Sequence, residues 1–299
     1  MGTPDYATTI FKKLLDSKYE LVALFTQADK PVGRKQVLTP PHIKDFCLEN
    51  NIDIPIFQAL KLRGNFEAFE QIKSFNPDFI IVAAYGQILP KEILDIAPCI
   101  NLHASLLPQY RGASPIQESL LNDDFYTGVT SMLMKEGLDN GNILGFQYLK
   151  ITPKMEVSQA FEELSHIASN LAITTLDNFE KILPKKQNEL EVSFCKKIKK
   201  SDGLVDFSSA KKLYLKYKAY SYWPGVFLVS ELKLKDIEIL EETSSNKAGT
   251  ILEVSKDFVV IGCEKGSLKI KTIQAPSKKA INSSDYIRGQ RLELNDILE

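Results

Sequence analysis

Asn101 and His103 stand two residues apart at the end of the apolar run Cys99–Leu102. Asp139 follows a second apolar run, Val129–Met134, in the turn Gly137-Leu138-Asp139-Asn140-Gly141. If the first run is a strand, its two-residue period points Asn101 and His103 the same way. An amide donor and an imidazole then sit side by side at a strand end, where open α/β sheets place their ligands. A carboxylate beside a histidine fixes its tautomer and favours the charged imidazolium. The three groups suit a reaction that builds negative charge on a carbonyl oxygen and moves one proton. Taken singly each is ordinary, and an Asp in a Gly-rich turn is usually a turn residue. The segment between them adds weight. Ser105-Leu106-Leu107-Pro108 and Tyr110-Arg111-Gly112-Ala113 leave the strand and enter a helix with marked start signals. Ser114 is a candidate N-cap, Pro115 occupies the first helical position, and Gln117 lies three residues after Ser114.

The elements that must position these residues alternate. Apolar stripes at helical spacing predict helices over Tyr6–Ser17, His42–Asn50 and Phe66–Phe75, a short one over Lys91–Ile96 and a long one over Val157–Ile182. Between them Leu21–Phe25, Ile54–Phe57, Phe79–Ala84 and Cys99–Leu102 read as strands, followed by Val129–Met134 and Asn142–Ile151. Phe79–Ala84 is apolar throughout, as in a strand covered on both faces. Thr26–Pro40 reads as a long basic loop carrying Lys30, Arg34 and Lys35. The alternation predicts an α/β domain built on a doubly wound, mostly parallel sheet. No Gly-x-Gly-x-x-Gly follows its first turn, so a dinucleotide is not favoured. Pro184-Lys185-Lys186 opens a polar linker that continues as Cys195-Lys196-Lys197-Ile198-Lys199-Lys200. After the helical stretch Ala210–Tyr220 come short Val-, Ile- and Leu-rich runs between polar turns, the pattern of a small barrel.

Composition sets outer limits. At 299 residues, 44% hydrophobic and 25% charged, the chain is of soluble globular type with room for two domains. No apolar run approaches the ~20 residues needed to span a bilayer, and no signal peptide is evident. Cys47, Cys99, Cys195 and Cys263 lack metal-ligand spacing and fit reduced thiols in the cytoplasm. With three scattered histidines, no metal site is expected. His42 and His166 read as surface or packing residues. Net charge is −1, although the part after Lys185 carries a modest basic excess. Solvated lysines are the default explanation of such an excess.

The ordered set Asn-x-His, Ser-Leu-Leu-Pro-x-Tyr-Arg-Gly-Ala and Gly-Leu-Asp-x-Gly resembles the 10-formyltetrahydrofolate-dependent formyltransferases. Gly2-Thr3-Pro4-Asp5, Phe25-Thr26-Gln27, Ala84-Tyr85-Gly86-Gln87-Ile88-Leu89-Pro90 and Trp223-Pro224-Gly225 extend the likeness over nearly the whole chain. Within that superfamily the chain is similar to the methionyl-tRNA formyltransferase family. The resemblance implies a Rossmann-like formyltransferase domain over residues 1–184, a basic linker over 185–202 and an OB-like, tRNA-binding barrel over 203–299. It implies formyl transfer from 10-formyltetrahydrofolate to the α-amino group of methionyl initiator tRNA, with Asn101, His103 and Asp139 catalytic. The folate would lie against Ser105, Leu106, Leu107 and Pro108 and the loop Gly86, Gln87, Ile88 and Leu89. The tRNA would be held by Arg34, Lys35, Lys196, Lys197, Lys199 and Lys200. No metal is implied, and a cytoplasmic monomer is expected. Two alternatives stay open: a formyltransferase acting on a small amine, such as glycinamide ribonucleotide or an amino sugar, and a non-catalytic RNA-binding protein. Asn140 stands where the family's turn usually has Thr. Family members also begin with an apolar strand running into Gly-Thr-Pro. Here Met1 directly precedes Gly2. The expectation is therefore a slot in the sheet, filled by further upstream residues or by a later segment.

Overall fold

The structure, a computed structural model, describes residues 1–33 and 35–299. Two compact units emerge. The first comprises residues 1–115, 126–150 and 160–196; the second comprises 116–125, 151–159 and 197–299.

The first unit starts with helix α1 (Asp5–Leu15), which buries Tyr6, Ala7, Ile10, Phe11 and Leu14. Leu15, the last residue of α1, lies at its solvent edge, 41% exposed. Strand β1 (Leu24–Phe25) is followed by an antiparallel ribbon, β2 (Lys30–Val32) and β3 (Val37–Thr39), in the stretch read from sequence as a loop. Helix α2 (His42–Glu49), β4 (Ile56–Phe57), α3 (Phe66–Ser74) and β5 (Ile80–Val82) come next. Asn65 caps α3 by accepting from Ala68 N at 3.0 Å, so one orphan amide of the first turn is satisfied. Helix α4 (Lys91–Leu94) leads to β6 (Cys99–His103), and β7 (Arg111–Gly112) precedes α5 (Pro115–Leu121), as the Ser114-Pro115 signals require; from Ile116 on, α5 belongs to the second unit. Strands β8 (Tyr126–Leu133) and β9 (Asn142–Lys150), helix α6 (Val157–Asp177) and β10 (Phe194–Cys195) complete the series.

The sheet is parallel in its first half and antiparallel in its second. β1 pairs β4 in parallel, β5 pairs β6 in parallel, and β6–β8 and β8–β9 are antiparallel. The domain is thus mixed α/β, with β8 and β9 joined by a turn too short for a crossover helix. All five residues of β6 are buried, because β5 and β8 flank it on both edges. Met1 and Gly2 connect the two parallel pairs. Gly2 N donates to Phe25 O at 3.0 Å, and Ala83 N donates to Met1 O at 3.0 Å. Beside this bridge a cavity of about 250 Å³ separates Leu21–Phe25 from Phe79–Ile81 and is lined by Ala7, Ile10, Phe11 and Leu14.

The second unit is organised on an antiparallel sheet: β11 (Val226–Phe227), β12 (Lys233–Glu241), β15 (Ser267–Gln274), β14 (Val259–Gly262) and β13 (Ile251–Val254), in that spatial order. β16 (Ile281–Asn282) also pairs β15. Helix α7 (Ala210–Tyr220) covers its core with Ala210 and Leu213, and α8 (Ser283–Gly289) adds Ile287. Leu234 and Ile237 of β12 are buried, whereas Lys235 and Asp236 face solvent; strict alternation breaks at Asp236, whose φ is +52°. No helix among the described residues is long and apolar enough to cross a membrane.

Candidate active site

Strand β6 does what its two-residue period requires. Asn101 and His103 face one side of the sheet, opposite Met132 and Thr130 of β8. The β8–β9 turn then brings Asp139 to them. Asn101 Nδ2 donates to Asp139 Oδ1 at 3.4 Å, and His103 Nδ1 lies 3.7 Å from Asp139 Oδ2. Gly112 N donates to Asp139 Oδ2 at 2.9 Å. His103 Nε2 is 3.0 Å from Tyr110 O. A carbonyl oxygen only accepts, so Nε2 carries the hydrogen in either charge state of the ring. Asn101 and His103 are 8% and 6% exposed, so the trio is enclosed yet reachable.

Asp139 is held in an unusual backbone conformation, with φ +46°. Such left-handed geometry costs a non-glycine residue about 1–2 kcal/mol. The turn sustains it with Gly137 at φ +116°. A Cβ on Gly137 would fall 2.4 Å from Asn140 Nδ2, so the Asn140 amide occupies the space a side chain would need.

Two loops leave the sheet beside the trio, because β5 and β6 are parallel neighbours and their carboxyl ends share an edge. In the loop after β6, Thr130 Oγ1 donates to Ser105 O at 2.6 Å and accepts from Leu107 N at 3.0 Å. Ser105 Oγ is turned inward and donates to Gln109 O at 2.6 Å. Leu107 is buried, while Leu106 and Pro108 are half-buried. In the loop after β5, Tyr85 O accepts from Thr3 Oγ1 at 3.1 Å and from Gln27 Nε2 at 3.0 Å. The Gln87 side chain is committed to backbone. Its Oε1 accepts from Leu62 N at 3.0 Å and its Nε2 donates to Ala59 O at 2.7 Å. Leu89 belongs to the core around Phe25 and Val82. Of the four residues of this loop, Gly86 and Ile88 are exposed. Burial pushes the Tyr85 phenol up to about 12, which keeps it neutral.

Arg34 lies outside the described residues. Lys35, Lys196, Lys197, Lys199 and Lys200 are all exposed, and Lys200 pairs at the surface with Glu231 at 3.1 Å.

The segment after Pro184 supplies contacts that composition did not signal. Its first half belongs to the first unit. Lys185 pairs with Ile143, and β10 pairs in parallel with β7, matching Phe194 to Arg111 and Cys195 to Gly112. Ser193 Oγ accepts from Tyr110 N at 2.9 Å. Cys195 Sγ accepts from Ser114 N at 3.3 Å. Arg111 is 4% exposed and donates to Glu189 at 3.0 and 3.3 Å through its two terminal nitrogens. That guanidinium holds the Glu189 carboxyl below its ordinary range. Gln187, Glu189, Ser193 and Cys195 are thus part of the site's frame. A lone Gln among lysines carries no periodic or motif signal that could have shown it.

The site's donors and carboxylate fit an acyl-type transfer: two side chains bearing N–H groups beside an anchored acid. Comparison with known proteins agrees. A formyl transferase family model matches residues 1–176 and a formyl transferase C-terminal domain model matches 197–291. A methionyl-tRNA formyltransferase of a Nitratiruptor species is 56% identical over 296 residues, covering 99% of this chain and 97% of that protein. That of Campylobacter lari is 53% identical, covering 100% of this chain and 98% of that protein. Among solved structures, WlaRD, a sugar 3N-formyl transferase with dTDP and 5-N-formyl-THF, has a TM-score of 0.66 at 17% identity, covering 93% of this chain and 97% of its own. HypX from Aquifex aeolicus in complex with tetrahydrofolic acid has a TM-score of 0.61 at 17% identity, covering 90% of this chain and 47% of its own. At such identities the structural likeness speaks for the fold alone.

Proposed function

The chain belongs to the methionyl-tRNA formyltransferase family, and from that premise we propose that it transfers the formyl group of 10-formyltetrahydrofolate to the α-amino group of methionyl initiator tRNA. The observation that carries the chemistry is the convergence of Asn101, His103 and Asp139 at the carboxyl end of β6. The amine nitrogen bonds to the formyl carbon, and the bond from that carbon to the folate nitrogen breaks. One proton passes from the amine to the departing nitrogen. Asn101 has a second amide hydrogen to meet the developing oxyanion, and a protonated His103 Nδ1 offers another. Asp139 balances the imidazolium and takes part in relaying the proton. Loss of one such donor costs about 3–4 kcal/mol, roughly a hundred- to thousandfold in rate. No covalent enzyme intermediate is needed.

The folate fits between the Ser105–Pro108 loop and Gly86–Ile88, where backbone groups and apolar edges are on offer. In this reading residues 1–184 form the catalytic part, 185–202 a basic strap, and 203–299 an OB-like module that carries tRNA. Arg34, Lys35, Lys196, Lys197, Lys199 and Lys200 meet the nucleic acid, in a cytoplasmic monomer. A small-amine acceptor is the alternative, since the same Asn101, His103 and Asp139 would serve it. One assay decides between them. The protein is incubated with the formyl donor and either charged initiator tRNA or small amines, and the formylated product is identified by mass. Asn101→Ala, His103→Ala and Asp139→Ala should each lose most turnover while remaining folded and binding tRNA. Near-normal turnover in one of them removes that residue from the mechanism. Formylation of the small amine alone overturns the acceptor.

A further inference from the structure

Gln187 is the most heavily engaged side chain near the site, and the reaction as read so far gives it no role. It is 3% exposed. Its Nε2 donates to Asp139 O at 2.8 Å and to Gly141 O at 2.8 Å. Its Oε1 accepts from Arg111 Nε at 2.9 Å. The amide orientation is fixed by these partners, since two carbonyls can only accept and a guanidinium can only donate. Both amide hydrogens and the oxygen are therefore committed. The carbonyls belong to the turn that holds Asp139 at φ +46°. The guanidinium belongs to the residue before Gly112, whose N–H anchors the Asp139 carboxylate at 2.9 Å. Gln187 thus spans the two backbone segments that fix Asp139, one at its main chain and one at its side chain.

We propose that Gln187 is a positioning residue for Asp139, its carboxamide setting the distance between the Asp139–Gly141 turn and the Arg111–Gly112 strand so that the carboxylate stays over Asn101 and His103. The proposal rests on the reading of Asp139 as part of the formyl-transfer site. Its chemistry is specific: two donors toward the turn and one acceptor toward Arg111. Gln187→Glu separates these functions. It keeps the shape and the acceptor for Arg111, and it turns an acceptor on both carbonyls. Gln187→Met fills the same space with no donor at all.

The experiment measures kcat and KM for both substrates in the full-length protein for Q187E, Q187M, D139N and the double variants Q187E/D139N and Q187M/D139N, with folding checked by circular dichroism. Each Gln187 variant should lower kcat about tenfold to a hundredfold, the usual penalty for sub-ångström to ångström misplacement, with both KM values within about threefold of the parent. In the D139N background the same substitutions should cause no further loss, because a residue that acts through Asp139 has nothing left to position. A purely structural Gln187 would lower the melting temperature while leaving the kcat of folded enzyme unchanged, or would multiply its loss with that of D139N. Either result overturns the proposal. If Q187E fails to fold, the Q187M cycle carries the same decision; collapse of both variants shows a fold requirement and also overturns it. Near-parental turnover in D139N itself instead removes the catalytic reading of Asp139, an outcome distinguishable from failure of the Gln187 proposal alone.

Discussion

Gly112→Ala tests the frame of the site at its tightest point. Gly112 has φ +130°, and an added Cβ would lie 2.2 Å from Cys195 O, 3.2 Å from Cys195 C and 3.2 Å from its Sγ. The obstructing atom is backbone, held by the pairing of β10 with β7 and by the hydrogen bond from Ser114 Oγ to Lys196 O. To reach ordinary contact the strands must separate by roughly 1 Å. Backbone strain at such a φ costs about 1–3 kcal/mol, and loosening one or two buried hydrogen bonds costs about 1–3 kcal/mol more. The sum, about 2–6 kcal/mol, corresponds to a fall in Tm of roughly 5–20 °C for a unit of this size. The same shift moves Gly112 N away from the Asp139 carboxylate, and an ångström of misplacement costs about a hundredfold in rate. Thermal unfolding followed by circular dichroism gives the first quantity; turnover measured well below the variant's Tm gives the second. A variant with parental Tm and parental turnover refutes the packing argument. A lowered Tm with parental turnover refutes the claim that Gly112 anchors a catalytic carboxylate.

Other consequences follow from surface charge, buried thiols and paired carboxylates. Charge reversal at Lys196, Lys197, Lys199 and Lys200 should flatten the salt dependence of tRNA affinity, because fewer phosphate contacts release fewer counterions; an unchanged slope would remove this strap from the tRNA interface. Burial pushes the Cys99 and Cys263 thiols up to about 12 and raises Cys47, so these three should resist a thiol reagent near neutral pH and react only after denaturation. Rapid native modification traced to any of them by peptide mapping would contradict that burial. The Gln58 amide and the Lys44 ammonium hold the Asp29 carboxyl below its ordinary range. Stability from that pairing is present above the ordinary aspartate value, about pH 4, and is lost as pH falls through the lowered folded value. Urea unfolding from pH 6 downward should therefore show a shallower acid decline in Asp29→Asn than in the parent, and equal slopes would exclude the contribution.

The parts of this fold legible in the sequence are those whose burial is set locally. Cys99–Leu102 reads as a strand because both faces and both edges are covered, leaving apolar Cys99, Ile100 and Leu102 around Asn101. Helix α7 runs from Ala210 to Tyr220, as its stripe requires. Asn101 and His103 were legible for the same reason, since two-residue spacing on a strand fixes a common face. The β2–β3 ribbon was not. Val32, Val37 and Leu38 are 55%, 59% and 67% exposed, so no buried face imposed alternation on the sequence. The direction of the Gln87 side chain was not legible either: two backbone groups of the preceding loop, Ala59 O and Leu62 N, claim its amide. A side chain with two hydrogen-bonding ends goes where buried backbone needs partners, and sequence spacing does not report that need. The pairing of β10 with β7 is two residues long on each side, too short for any period to register.

That last pairing bears on where the first unit ends, which is at Lys196. Composition places a break at Pro184, where apolar runs give way to Lys, Gln and Asn. The hydrogen bonds place none there. Gln187 supports the Asp139 turn, Glu189 holds Arg111, Ser193 receives the Tyr110 amide, and Cys195 lies against Gly112. Tyr110 in turn gives His103 Nε2 its acceptor. Every neighbour that fixes the imidazole and the carboxylate from the loop side is thus fixed itself by residues 187–195. The polar character of this strap is what allows it: an apolar segment could fill space beside Arg111 and the turn carbonyls, but it could not satisfy them, and buried unpaired groups of that kind cost about 1–3 kcal/mol each. The same polarity makes the strap look like a linker. A segment rich in hydrogen-bonding side chains and poor in apolar ones is either solvated or spent on buried partners, and only the positions of those partners, some 50 to 80 residues away in sequence, distinguish the two.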